Sequence, residues 1–288
     1  VAAVLALLGL AAPIAAAQLT VSEADQLRLA RSLLAEGDFF RAITEFKRLL
    51  FFFPESPQAD EARLGIADAY LGAGRNEEAE AEFARFQREH PASPETDRAL
   101  FGQALALLGL GRRTEGREML RGLALVPEGR YRSRAALELA LSLAEEGEWV
   151  RAQEELRTLG EPGPQLERRL ALLAEGEAKS KSPALAGLLS ALLPGAGQAY
   201  CGRLRDGALA LLVNGLFIWG AAEAGSRENF ELAAALGLVE LIWYGGTIYG
   251  AVNCAHKHEL AEAARLRERL ERGPEAGRGL WLAWGWRF

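Results

Sequence analysis

The chain has 288 residues, half of them apolar and a quarter charged, and a formal net charge of −6, enough length for two domains. A mildly acidic chain without a basic stripe argues against nucleic acid as a partner, and two cysteines, Cys201 and Cys254, are too few for a disulfide framework or a metal site of their own. Charge is segregated: residues 20–182 are rich in Arg, Glu, Ala and Leu, whereas Pro183–Gly202, Gly207–Ala222 and Leu232–Ala255 carry almost none.

Residues 1–19 are apolar and end in Ala15-Ala16-Ala17 before Gln18. A hydrophobic run followed by Ala-x-Ala is the pattern of a secretory signal peptide. No Lys or Arg precedes the run, and no cysteine follows it, so lipid attachment at this point is not expected. A buried helix is the alternative; it is disfavoured because Val4–Leu10 has no polar face.

From residue 20 to 164 one pattern recurs. Gly37, Gly74, Gly111 and Gly147 follow at steps of 37, 37 and 36 residues. Seven positions before each stands Ala30, Ala67, Ala104 or Ala140; five after it Ala42, Ala79, Gly116 or Ala152; nine after it Phe46, Phe83, Leu120 or Leu156. Pro54, Pro91, Pro127 and Pro164 close the units. This spacing predicts four pairs of antiparallel helices, the first being Asp25–Ala35 and Phe39–Phe52, which cannot bury their apolar faces alone and must stack. Glycine suits the turn because a residue closing a helix often turns left-handed.

These residues, with the turns Phe53-Pro54-Glu55-Ser56-Pro57 and His90-Pro91-Ala92-Ser93-Pro94, resemble a tetratricopeptide repeat domain of the bacterial envelope type. The resemblance implies an all-α solenoid that binds protein partners in the manner of envelope assembly proteins. It implies neither catalysis nor a cofactor. By family geometry the concave groove takes Leu27, Arg31, Glu61, Leu64, Asp68, Arg98, Phe101, Leu105, Arg134 and Leu137, a mixture suited to a peptide or helix. Phe51, Phe52 and Phe53 end the second helix, and three consecutive aromatics cannot all face inward. They are candidates for partner or membrane contact, or for packing under the chain arriving from Thr20.

Residues 165–182 predict a capping helix, Gln165–Ala178, and a linker. Residues 183–255 form a membrane domain whose third apolar segment is interrupted only by Glu240. A span needs about 20 apolar residues, and Pro194-Gly195-Ala196-Gly197 breaks the first segment near its end. Three spans would put Arg203, Arg205 and the flank His256, Lys257, His258 in the cytoplasm, with exported repeats and the acidic loop Glu223–Glu231 outside; two would leave both basic flanks on the repeat side. Charge placement favours three spans, although Lys179 and Lys181 count against them and a re-entrant first segment is the other arrangement.

The run Ser182-Pro183 through Leu193-Pro194-Gly195-Ala196-Gly197-Gln198-Ala199-Tyr200-Cys201-Gly202-Arg203, with Trp243-Tyr244-Gly245-Gly246 to Tyr249-Gly250-Ala251-Val252-Asn253, resembles a bacterial membrane family akin to two-transmembrane (TM2-like) domains. That resemblance implies a membrane domain and brings no catalytic residues. Physically, the Pro-Gly-x-Gly turn allows close backbone approach, and Gln198 and Tyr200 can hydrogen-bond near the interface. Glu240 inside a span is a functional candidate, with Asn214 as its expected partner or a structural pairing as the plainer role.

Residues 256–288 predict an amphipathic helix, His258–Arg272, ended by Gly273-Pro274, and an aromatic tail, Gly279–Phe288, whose tryptophans suit a membrane interface. No phosphate loop, nucleophile elbow or dinucleotide fingerprint occurs. The pairs Glu77-Glu78 and Glu145-Glu146 read as solvated helix faces. The sequence therefore predicts a non-enzymatic, membrane-anchored scaffold with its repeats in the periplasm, binding proteins through the groove and lipid through residues 183–255. The alternative makes the membrane domain the active part, in protein insertion, lipid handling or transport.

Overall fold

Ser22 opens the first helix by accepting a hydrogen bond from the Asp25 amide at 3.2 Å. The structure, a computed structural model, describes residues 22–271; the leader-like residues 1–19, Gly273-Pro274 and the aromatic tail lie outside them. The repeat helices pair as α1 (Glu23–Ala35) with α2 (Phe39–Phe52), α3 (Ala59–Gly72) with α4 (Asn76–Glu89), α5 (Thr96–Gly109) with α6 (Arg113–Ala124), and α7 (Arg132–Ala144) with α8 (Trp149–Leu159). Each pair turns on its glycine, at φ +79°, +72°, +76° and +77° for Gly37, Gly74, Gly111 and Gly147. A Cβ at Gly37, Gly74 or Gly111 would meet nothing within 4 Å. Backbone handedness, not space, demands glycine there.

Stacking between repeats uses glycine differently. The ring of Phe46 lies on α3 where a Cβ at Gly65 would stand 2.4 Å from it, and Phe83 lies on α5 in the same way at Gly102, 2.2 Å. Both rings are fully buried. The serines of the Pro-x-Ser-Pro turns clip successive repeats together: Ser56 Oγ donates to Glu23 at 2.6 Å, and Ser93 Oγ to Asp60 at 2.7 Å.

α9 (Pro164–Lys179) continues the stack, with Gly176 seated against Trp149. Then come α10 (Pro183–Leu192), α11 (Ala196–Tyr200), α12 (Leu204–Ser226) and α13 (Phe230–Glu271). Among the described residues two helices, α12 and α13, are long and apolar enough to cross a membrane. The first apolar segment is not one span. Gly195 at φ +89° divides it into α10 and α11, and ten residues of α-helix reach only about 15 Å.

The predicted C-terminal amphipathic helix is the continuation of α13, 42 residues in all. Its second half returns to the repeats, where Ala263 and Leu266 join the core of Leu139, Leu143, Trp149 and Leu173. His258 Nε2 lies 2.9 Å from the Lys179 carbonyl. Both ends of the α12–α13 hairpin therefore sit at the repeats. The His256–His258 flank thus lies beside the repeats, whereas three spans would send it to the far side. Nor is Glu145 a solvated carboxylate: it faces Arg267 of α13 at 3.5 Å.

Candidate functional site

On the first helices of the repeats, ion pairs join neighbouring units. Arg31 Nε donates to Glu61 at 2.5 Å and Arg98 to Asp68 at 2.5 Å. Burial pushes the Asp68 carboxyl above its ordinary range, opposed by the Arg98 guanidinium. Leu27, Leu64 and Phe101 are buried in the cores, Phe101 against Tyr131 with ring centroids 5.2 Å apart. Leu105 and Leu137 are half-buried, and Arg134 is exposed. Of the ten groove candidates, four of the five charged ones are brought together as two pairs, Arg31 with Glu61 and Arg98 with Asp68, and three of the apolar ones are closed to a ligand.

The aromatic run divides as its helix geometry requires. Phe51 and Phe52 are 79% and 64% exposed with rings edge-to-face at 5.1 Å, whereas Phe53 packs on the first-repeat core. Phe40, which sequence reasoning passed over, is 81% exposed on the same helix. Eleven residues separate it from Phe51, close to three full turns, so the two share a face.

The C-terminal module, α10 to α13, is built on glycine contacts. A Cβ at Gly195 would stand 2.0 Å from the Gly207 carbonyl, and one at Gly197 2.1 Å from that of Ala186. Pro194 is buried beside them, and Gly202, at φ +82°, turns the chain into α12. Around this turn runs a line of polar groups. Ser190 Oγ accepts from the Gly197 amide and donates to Gln198, both at 3.0 Å. Gln198 Nε2 donates to the Thr247 carbonyl at 2.9 Å. Asn214 Nδ2 donates to the Ala210 carbonyl at 2.6 Å and to Thr247 Oγ1 at 3.3 Å. Tyr200 stands at the outer end, its hydroxyl accepting from the Ser182 amide at 3.1 Å and its ring under Lys181.

Asn214 does not serve Glu240. Asn214 Oδ1 and both carboxylate oxygens of Glu240 are buried without a hydrogen-bond partner. Sequence reasoning missed Ser190 and Thr247. Thr247 had a signal: it stands seven residues after Glu240, and Cys254 seven later, the spacing of one covered helix seam.

The joint between module and repeats was invisible in the sequence. Glu259, buried on α13, accepts from Trp149 Nε1 at 2.6 Å, from Ser180 Oγ at 3.1 Å and from the Lys181 amide. Arg267 adds a pair with Glu138 at 2.9 Å, and Arg269 one with Glu175 at 2.6 Å.

Compared with known families, residues 21–122 match the model of YfiO, an outer membrane lipoprotein. The match covers the first two repeats and most of the third, and it supports a tetratricopeptide-like repeat domain of an envelope, protein-interaction kind. No curated protein matches the chain.

Proposed function

We propose that this chain is a membrane-anchored scaffold of the bacterial cell envelope, its repeats recruiting protein partners and its α12–α13 hairpin holding them at a bilayer. The observation that carries this reading is α13. Its first half turns Leu241, Ile242 and Trp243 outward, while its second half lies in the repeat core. One continuous helix thus sets the repeats at a fixed distance and angle from the lipid. Partners meet the repeats at the charged first-helix face around Arg31, Glu61 and Arg98, and at the aromatic face of Phe40, Phe51 and Phe52. A Phe52→Glu variant that folds normally and keeps every in-cell crosslink would remove the second surface from the proposal.

The signal-like residues 1–19 and the similarity to an outer membrane lipoprotein family favour repeats in the periplasm, anchored in the inner membrane. Lys179, Lys181, Arg203, Arg205 and Lys257 gather at the repeat end of the hairpin and pull the other way, since basic flanks stay in the cytoplasm. Protease added to intact spheroplasts decides: digestion of residues 22–182 supports the periplasmic scaffold. Protection lost only on lysis moves the scaffold to the cytoplasmic face.

The unpartnered Glu240 favours a second reading, in which the membrane module itself acts on lipid, protein or solute and the repeats dock its clients. Replacing residues 204–255 with an unrelated apolar hairpin separates the two, because a pure anchor survives the exchange.

A further inference from the structure

Glu240 stands ten residues into α13, about 15 Å along a helix and so near the middle of a hydrocarbon core about 30 Å thick. Its side chain is 8% exposed, and neither carboxylate oxygen has a partner. The elements packed along this part of α13 offer it no charge: α10 and α11 have none, and α12 has none from Gly207 to Ala222. On α13 itself the next charges are Glu231 and Lys257. One helical heptad toward the repeats, Asn214 Oδ1 is the second unpaired acceptor on the seam. The buried seam thus holds three unpaired oxygen acceptors and one formal negative charge.

We propose that Glu240 is a binding site for one monovalent cation, the proton included, reached from the repeat side of the membrane past Asn214, which lies about 10 Å away along the seam. The missing complement must bring positive charge or a donor, because a bare carboxylate in hydrocarbon is costly and the seam has only acceptors to offer. A single carboxylate suits one positive charge; divalent sites in proteins collect several oxygen ligands and commonly more than one carboxylate. Direction follows from the lining. Between Glu240 and the repeats the seam carries Asn214, Thr247, Gln198 and Ser190, joined by the hydrogen bonds described above. Toward the hairpin tip the covered positions next to Glu240 are Phe217, Gly220, Ala221 and Leu236, all apolar, and the first carboxylate beyond them, Glu223, is paired with Arg227. A cation finds a line of polar oxygens on the first route and an apolar stretch closed by an ion pair on the second. The proposal needs the hairpin in a bilayer but no particular partner for the repeats, so its failure and that of the scaffold reading are separate results.

The test uses the full chain in phosphatidylcholine–phosphatidylglycerol vesicles and dicyclohexylcarbodiimide, a lipid-soluble reagent that adds to protonated carboxyls. The readout is the mass of the peptide carrying residue 240, with Glu240→Gln as the blank. Labelling at Glu240 is expected, and it should fall about tenfold per pH unit once the carboxyl ionises. The fall should follow the pH of the compartment in which protease digests the repeats. Protection by sodium chloride, but not by choline chloride, assigns a metal cation; no protection by either, with the pH response intact, assigns the proton. Asn214→Leu with Thr247→Val should slow the pH response without removing the label. The proposal is overturned if Glu240 is unlabelled at every pH, if labelling ignores both pH and sodium, if it follows the compartment at the hairpin tip, or if the double variant changes nothing.

Discussion

The repeats and the hairpin invert one another. In the repeats the large apolar side chains are inside, Phe46, Phe83, Leu120, Leu156 and Trp149 all buried, and charged pairs such as Arg75–Glu78 and Arg112–Glu115 lie on the outside. In the hairpin the large apolar side chains, Leu212, Leu216, Ile218, Trp219, Leu241 and Ile242, point outward. Its covered seam is made of Gly207, Ala224 and Ala251 with the polar Asn214, Glu240 and Thr247. Both regions are helical and both pack on small residues, so helix chemistry does not distinguish them. On the anchoring role proposed above, the solvent does. Against water, burying Phe stabilises a fold; against lipid tails it gains little, and close packing and hydrogen bonds hold helices together instead.

The contrast is sharpened most by paired deletions. Phe83→Ala should cost about 3–5 kcal/mol, because it empties the socket over Gly102. Ile242→Ala should cost less than about 1 kcal/mol in a bilayer, because its side chain is exposed and the proposed anchor leaves it lipid alone as a partner. Hydrogen exchange resolved to each region would check both, and equal costs would mean that the hairpin's outer face is covered by protein. Next in size is the joint. Glu259→Ala leaves the Trp149 indole N–H and the Lys181 amide without their acceptor, at about 1–3 kcal/mol for each buried donor. The expected outcome is loss of exchange protection over residues 256–270 with α1–α6 unchanged. Uniform loss along the chain would mean that the repeats do not fold without the returning half of α13.

Smaller again is the turn. Gly74→Ala should cost about 1–2 kcal/mol, although space for the methyl is free, since the price lies in the left-handed backbone alone. A neutral result in thermal unfolding would show that the turn can relax. The smallest effect concerns pH. Burial pushes the Glu145 carboxyl above its ordinary value of 4.5, with Arg267 opposing. The folded state then holds this proton more tightly than the unfolded one. The contribution is therefore present below the ordinary value and is lost as pH rises through the raised one. Exchange protection of residues 256–270 should decline across that window, and Arg267→Ala should extend the window upward.

Much of the repeat region was legible because its signals are local. The left-handed glycine, the small residues beside it and the large residue nine positions on all act within one helical pair, and the predicted second helix, Phe39–Phe52, matches the observed bounds. The groove was less legible. The positions of Leu27, Leu64 and Phe101 along the chain do not reveal that the neighbouring repeat covers them. Ser190 likewise carries no mark in a charge-free run; its role depends on Gly197 and Gln198 folding back onto it.

By itself, the sequence determined the all-α class, the period of the repeats, the left-handed turns, the apolar segments and the anomaly of a carboxylate at position 240. These follow from composition and from residues within a few turns of one another. Tertiary structure alone decided that the first apolar segment is broken, that α13 returns to the repeats, and that Trp149 finds its acceptor 110 residues away in Glu259. Such pairings are set by which surfaces exclude solvent once the helices have formed, and no local pattern encodes that choice.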